Sequence, residues 1–171
     1  MQKKSLYGSL VYMCLLVANP LRPVMAECDS TQPNRTPTSR YVIEGGVVYD
    51  RKTDLTWQRC SVGQRWDGDL GCVGVIEQMT WDEAKAKAAD GWRVPTRDEL
   101  ATLVSPTCKQ PSINEEVFID MDLRKLWYWT STTSDDYLAW LVNFADGQFA
   151  NYDRSDVGAV RFVRVGGHKA S

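Results

Sequence analysis

The sequence predicts an α+β domain, with a mainly antiparallel sheet, two helices and long loops stapled by disulfides. Three observations predict it. Short runs of alternating apolar residues gather at the two ends of the chain: "YVIEGGVVYD" and "KTDLTWQRC" early, then "LWYWTSTT", "LAWLVNF", "QFANY" and "AVRFVRV" late. Between them stand two capping boxes, Thr80-x-x-Glu83 and Thr96-x-x-Glu99, each opening a stretch of helical spacing. Four cysteines, Cys28, Cys60, Cys72 and Cys108, follow an apolar N-terminal segment. Strands grouped at both ends with helices between them fit α+β rather than an alternating βαβ chain.

Taken in order, residues 1–26 read as a secretory signal. Lys3 and Lys4 precede an apolar run from Leu6 to Ala18 that is too short and interrupted to span a bilayer. Pro20 and Pro23 end that run, and Val24-Met25-Ala26 offers the small residues of a cleavage site after about Ala26. Glu27 before Cys28 does not fit a lipidation signal. The expected location is therefore periplasmic or secreted. About 145 residues remain, enough for one domain. They divide into an arm (27–40), a body (41–167) and a tail (168–171).

The arm is rich in Pro, Thr, Ser and Asn and reads as irregular. In the body, Gly45-Gly46 marks a hairpin between two short strands, and Leu55 and Trp57 share one face of a third. "SVGQRWDGDLGC" reads as a loop. A helix from Thr80 places Trp81, Ala84 and Ala88 near helical spacing, and Gly91 is expected to end it as a left-handed cap. Trp92-Arg93-Val94 is a short extended link, with Trp92 and Val94 pointing into the core. Pro95 keeps the preceding residue out of the helical region, and the box Thr96/Glu99 opens a second helix through about Val104. "SINEEVFIDMD" is a long connection. In the late strands Trp140, Val142 and Phe144 share a face, and Asp146-Gly147 gives a hairpin turn.

An even cysteine count in an exported domain reads as two disulfides, with three possible pairings. Cys60 and Cys72 flank the Gly-rich loop and are paired on that ground, leaving Cys28 with Cys108 to pin the arm. Loop closure gives about 3 kcal/mol for the short loop and about 4.5 for the long one. There is no CxxC, and the single histidine, His168, lies in the tail, which argues against zinc. The net charge is −2, and the signal carries off three of the cations, so the domain is acidic. Nucleic acid is a poor partner for such a chain.

The blocks "VVYDRKTDLTWQRC", "MTWDEAKAKA", "GWRVPTRDEL", "YWTST", "AWLVNFADG" and "VRFVRV" resemble, in order, the C-terminal domain of the Legionella collagen-like protein. The resemblance covers roughly residues 41–165. It implies a C-type-lectin-like fold, related to that of formylglycine-generating enzymes. The founding member is an adhesin whose domain binds sulfated glycans and forms trimers, so the resemblance leaves an oligomer open. No Gly-x-y stalk occurs here, nor the Glu-Pro-Asn or Trp-Asn-Asp triplets of calcium-dependent lectins. Enzymes of the related fold use cysteines near the last strand. In this chain Phe162 stands there, and no cysteine follows Cys108.

These features point to an exported, non-catalytic binding module that recognises a carbohydrate or cell-surface ligand. The alternative is a periplasmic inhibitor or immunity-type protein that blocks a cell-wall-degrading enzyme. The carboxylate pairs Asp67/Asp69, Asp120/Asp122, Asp135/Asp136 and Asp153/Asp156 sit in expected loops, where Asp favours turns without catalysis. "DGDLG" and "ADGQFANYDRSD" hold oxygen ligands but miss the EF-hand pattern, so no cofactor is expected and calcium is the weaker option. Trp57, Trp81, Trp92 and Trp140, with Pro95, Thr96 and Glu99, are expected to be structural. Trp66 and Trp127 lie in or beside loops. The ligand-binding residues expected are Tyr137, Tyr152, Arg154 and Asp156.

Overall fold

The computed structural model describes residues 27–120, 122 and 127–167. The expected signal segment and the tail with His168 lie outside the described residues. Along the chain run β1 (Glu27–Cys28), a 3-10 turn (Thr38–Arg40), β2 (Tyr41–Glu44), β3 (Val47–Asp50), β4 (Leu55–Gln58), β5 (Gln64–Asp67) and β6 (Gly71–Gly74). Then come α1 (Trp81–Ala86), α2 (Arg97–Ala101), β7 (Cys108–Lys109), β8 (Trp127–Thr133), β9 (Leu138–Asn143), β10 (Phe149–Asp153) and β11 (Val163–Val165). The named strands pair antiparallel throughout, with two short helices among them, so the domain is α+β.

Two sheets carry the core. The last strand closes back beside the first ones, in the order β11-β4-β3-β2, while β10-β9-β8 forms a meander. Gly45, at φ 57°, turns the β2–β3 hairpin where the sequence placed it. In this meander β9 packs on both faces, as its nearly continuous apolar run Leu138–Val142 encodes, while the edge strand β10 is half-buried to exposed. Val142 joins Phe144, Tyr128, Leu100, Leu103, Trp57 and Val48 in one cluster. Ala139 and Leu141 join Trp129, Met79, Trp81, Ala84, Val94 and Phe162 in another. Trp140 shares the Val142 face through its register with Asn151, but it is only half-buried, under the Arg97 guanidinium at 4.4 Å. Trp57 and Trp129 are fully buried. Truncating either to alanine is worth about 3–5 kcal/mol on general grounds.

Four local expectations need correction. "SVGQRWDGDLGC" is not merely a loop, because Gln64–Asp67 and Gly71–Gly74 pair as a hairpin, tied by the Cys60–Cys72 disulfide. The first helix stops at Ala86, well short of Gly91. The left-handed residues, Asp90 at φ 55° and Gly91 at φ 79°, form a later turn that delivers Arg93 to a bridge with Val163. The second helix ends at Ala101 rather than Val104, since the Thr102 carbonyl accepts from Arg40 Nη1 at 2.9 Å and Ser105 N–H turns to Ser112. The strand in "AVRFVRV" is confined to Val163–Val165. In its earlier half Arg161 is buried instead of alternating outward, and the carbonyls of Val160 and Phe162 accept from Val62 and Gln58 N–H.

That arginine defines the main buried polar network. The Arg161 and Asp120 side chains are both 0% exposed and form an ion pair. Arg161 also donates to the carbonyls of Gln58 and Arg59, and Asp120 accepts the Ser61 N–H. Asp120 therefore serves as a buried anchor. The second disulfide, Cys28–Cys108, joins paired positions of β1 and β7 and holds the arm to the body.

Candidate functional site

The capping box at Thr80 sets the geometry of one end of the domain. Thr80 Oγ1 accepts from Glu83 N–H, and the Glu83 carboxylate accepts from Thr80 N–H at 2.8 Å. The Thr80 backbone and hydroxyl hold the Glu83 carboxyl below the usual carboxylate range. Trp81, next in the chain, is buried and donates through Nε1 to the Thr130 carbonyl at 2.8 Å. Its backbone N–H bonds the Arg154 carbonyl at 3.1 Å. The N-terminus of α1 is thereby locked against the segment that leaves β10.

Arg154 joins three elements. Its guanidinium lies over the Trp81 ring, 4.0 Å from the centroid. It donates to Asp82 Oδ1 at 2.5 Å and to the Asp136 carbonyl at 3.1 Å, and its backbone N–H bonds Tyr137 O at 2.9 Å. The β8–β9 turn is shaped by Asp135, whose Oδ1 accepts from the N–H groups of Tyr137 and Leu138 at 2.8 Å each. Asp153 plays the same part after β10. It accepts from the Ser155 N–H and hydroxyl, which hold its carboxyl below the usual range. An open cleft of about 500 Å³ results, lined by Asp82, Asp136, Tyr137, Asp153, Arg154 and Ser155, with Thr80 at its edge.

Of the four expected ligand residues, Tyr137 and Arg154 line this cleft. Tyr137 is 76% exposed and presents its ring to solvent. Tyr152 does not line the cleft; its ring meets Trp127 edge-on at 5.5 Å between centroids. Asp156 is exposed outside the cleft and bonds Asp153 through its backbone. The largest omission is Asp82, which reads in sequence only as an acidic residue in a helix's first turn. Asp136 and Asp153 stand in the sequence as members of separate carboxylate pairs, and nothing local shows that they line one cleft with Arg154.

The arrangement offers carboxylate acceptors, a fixed guanidinium, hydroxyls and an exposed ring. The low Asp153 carboxyl suits hydrogen-bond acceptance rather than proton donation. Asp67 likewise works as a turn former, held low by the backbone N–H groups of Leu70 and Asp69. Asp146 in "ADGQFANYDRSD" accepts from Gln148 N–H. Among the described residues, no group of three or more His, Cys, Asp or Glu side chains is placed to hold a metal. Among them, too, no helix is long and apolar enough to cross a membrane.

The residues expected to be structural are placed as follows. Trp92 is half-buried under Arg164, 4.6 Å from the ring centroid. Pro95 is buried, and its carbonyl accepts from Ser131 N–H. Thr96 and Glu99 complete the α2 capping box, and Glu99 pairs with Arg93 through both oxygens at 2.6 and 2.7 Å. Trp66 takes Arg59 over its ring at 4.5 Å.

A family model described as the Lcl C-terminal domain matches residues 46–164, and the chain belongs to that family. No curated protein matches the chain. Two disulfides and this membership point to an oxidising compartment outside the cytoplasm.

Proposed function

We propose that this member of the Lcl C-terminal domain family is an exported, non-catalytic module that binds a neutral or amino-sugar glycan in the Tyr137–Arg154 cleft. The observation that carries the reading is the shared lining: an exposed tyrosine ring beside Asp82, Asp136, Asp153 and Arg154. Sugar rings present an apolar face to an aromatic and a rim of hydroxyls to paired acceptors and donors. Three carboxylates beside one arginine, itself paired with Asp82, leave the cleft net negative. Such a cleft repels a sulfated chain, so the ligand class differs from that of the founding adhesin. Family membership supports a C-type-lectin-like arrangement of the α+β elements. Export through a signal cleaved after about Ala26, without a cofactor, belongs to the same reading.

Screening the purified domain against neutral, amino and sulfated oligosaccharides tests it. Neutral or amino sugars are expected to be retained, and Tyr137→Ala to weaken them at least about fivefold, in line with loss of an exposed aromatic contact. Retention of sulfated chains alone, or unchanged binding by Tyr137→Ala, defeats the proposal. The acidic cleft also favours a second reading, in which a basic surface of a protein partner, such as a cell-wall hydrolase, docks there. Nanomolar capture of such an enzyme, with loss of its activity, would select that reading.

A further inference from the structure

We propose a second binding site, on another part of the domain, for an acidic peptide segment carrying an aliphatic side chain. A groove of about 300 Å³ is lined by Arg35, Arg40, Lys52, Val104, Pro106 and Phe149, along with Ala101 and Thr102. The chain as a whole is acidic, yet this lining contains three cations and no carboxylate. The inference does not rest on the Tyr137 cleft, which shares none of these residues.

The three cations differ in what they do. Arg40 is a fixed floor: its side chain is 6% exposed, and it is neutralised by both oxygens of Asp50 while bonding the carbonyls of Arg35 and Thr102. Burial works against its charge, but the Asp50 carboxylate more than restores it. Arg35 and Lys52 are exposed, and among the described residues neither guanidinium nor ammonium has a carboxylate or hydrogen-bond partner. Beside the groove's Phe149, Arg97 stacks on that ring at 4.9 Å and on Trp140 at 4.4 Å, again with no carboxylate partner among the described residues. Its Nε is buried without a hydrogen bond. Unpaired cations of this kind bind carboxylates through charge-assisted hydrogen bonds.

The apolar part of the lining selects the rest of the ligand. Val104 and Pro106 are aliphatic, and Arg97 already occupies a face of the Phe149 ring. A leucine-like side chain finds apolar surface at Val104 and Pro106 in the same groove as the two free cations. The volume suits one such side chain with its flanking backbone. An acidic segment with a central aliphatic residue satisfies both the cations and the apolar lining, and a sulfated polysaccharide satisfies only the cations.

Fluorescence anisotropy with a dye-labelled Glu-Asp-Leu-Asp-Glu peptide and the signal-free protein tests this. The peptide is expected to bind, to weaken at least about tenfold in the Arg35→Gln, Lys52→Gln double variant, and to weaken again when its leucine is replaced by serine. Both substituted positions are exposed, and an unchanged melting temperature confirms that the variant is folded. No binding at millimolar peptide overturns the proposal, as does equal affinity for the double variant. Equal affinity for the serine peptide, or displacement by a sulfated oligosaccharide with higher affinity, makes the groove a general anion site and also overturns it.

Discussion

Replacing Asp120 with asparagine should cost this domain about 3–5 kcal/mol, because it leaves the Arg161 guanidinium charged and buried. Both side chains are 0% exposed. The asparagine keeps the shape of the aspartate and can still accept the Ser61 N–H, so packing changes little. What is lost is the charge that compensates Arg161, whose remaining partners include the neutral acceptors Gln58 O, Arg59 O and Ser61 Oγ and the rings of Phe118 and Tyr128. Those acceptors solvate a cation only in part. A typical domain has about 5–15 kcal/mol of total stability, so the loss is a large share of it. At about 3–4 °C per kcal/mol for this size, the melting temperature should fall by roughly 10–20 °C. Urea unfolding followed by tryptophan fluorescence measures it, with the seven tryptophans as reporters. The midpoint should move while the slope stays constant. The double variant Asp120→Leu, Arg161→Met removes both charges and should lose clearly less than the sum of the single changes. A shift under about 0.5 kcal/mol for Asp120→Asn, or strict additivity in the cycle, refutes the assignment of this pair as the anchor of the core.

Three further outcomes are expected. Cys60→Ser with Cys72→Ser should cost about 3 kcal/mol, and Cys28→Ser with Cys108→Ser up to about 4.5, as their loop lengths dictate; equal melting curves for all three proteins would contradict both values. Thr96→Ala removes the oxygen that accepts Glu99 N–H and should lower stability by about 1 kcal/mol in the same urea assay, and no change would mean that the α2 cap contributes nothing. Glu99 carries a pH prediction. Burial raises its carboxyl, but the hydrogen bonds from Arg93 and the Thr96 backbone outweigh that and hold it below the usual range. A depressed folded value means stabilisation that is complete above the ordinary carboxylate pKa of about 4.3 and lost as pH falls through the lowered value. Glu99→Gln keeps a residue suited to the capping box, so it should be less stable near neutral pH and lose less on acidification below about pH 4.3. Parallel melting-temperature profiles for the two proteins would remove Glu99 from the acid response.

Much of the fold was legible because it depends on short-range chemistry. The boxes Thr80/Glu83 and Thr96/Glu99 fix both helix starts, since their hydrogen bonds close within three residues. The end of α2 answers to a distant group, Arg40 taking the Thr102 carbonyl across 62 positions, which local spacing does not carry. The alternation of Ala139, Trp140, Leu141 and Val142 identified a strand but not that each face meets its own cluster. In the cleft, Tyr137 and Arg154 were found as polar or aromatic residues near turns, while Asp82 was hidden in a helix start.

The sequence by itself determined the helix starts, the hairpin turn at Gly45-Gly46, the pairing of Cys60 with Cys72 across a short loop and the family, all carried by neighbouring residues or by the order of motifs, while the β5–β6 hairpin was hidden in a Gly-rich stretch. Only the tertiary structure decided that Arg161 faces inward to Asp120, that Asp82 meets Arg154 across 72 positions, and that Arg35 and Lys52 gather at one groove. The physical reason is range. Backbone dihedrals and caps are set within a turn of chain, whereas ion pairs and clefts depend on where packing brings remote segments to rest.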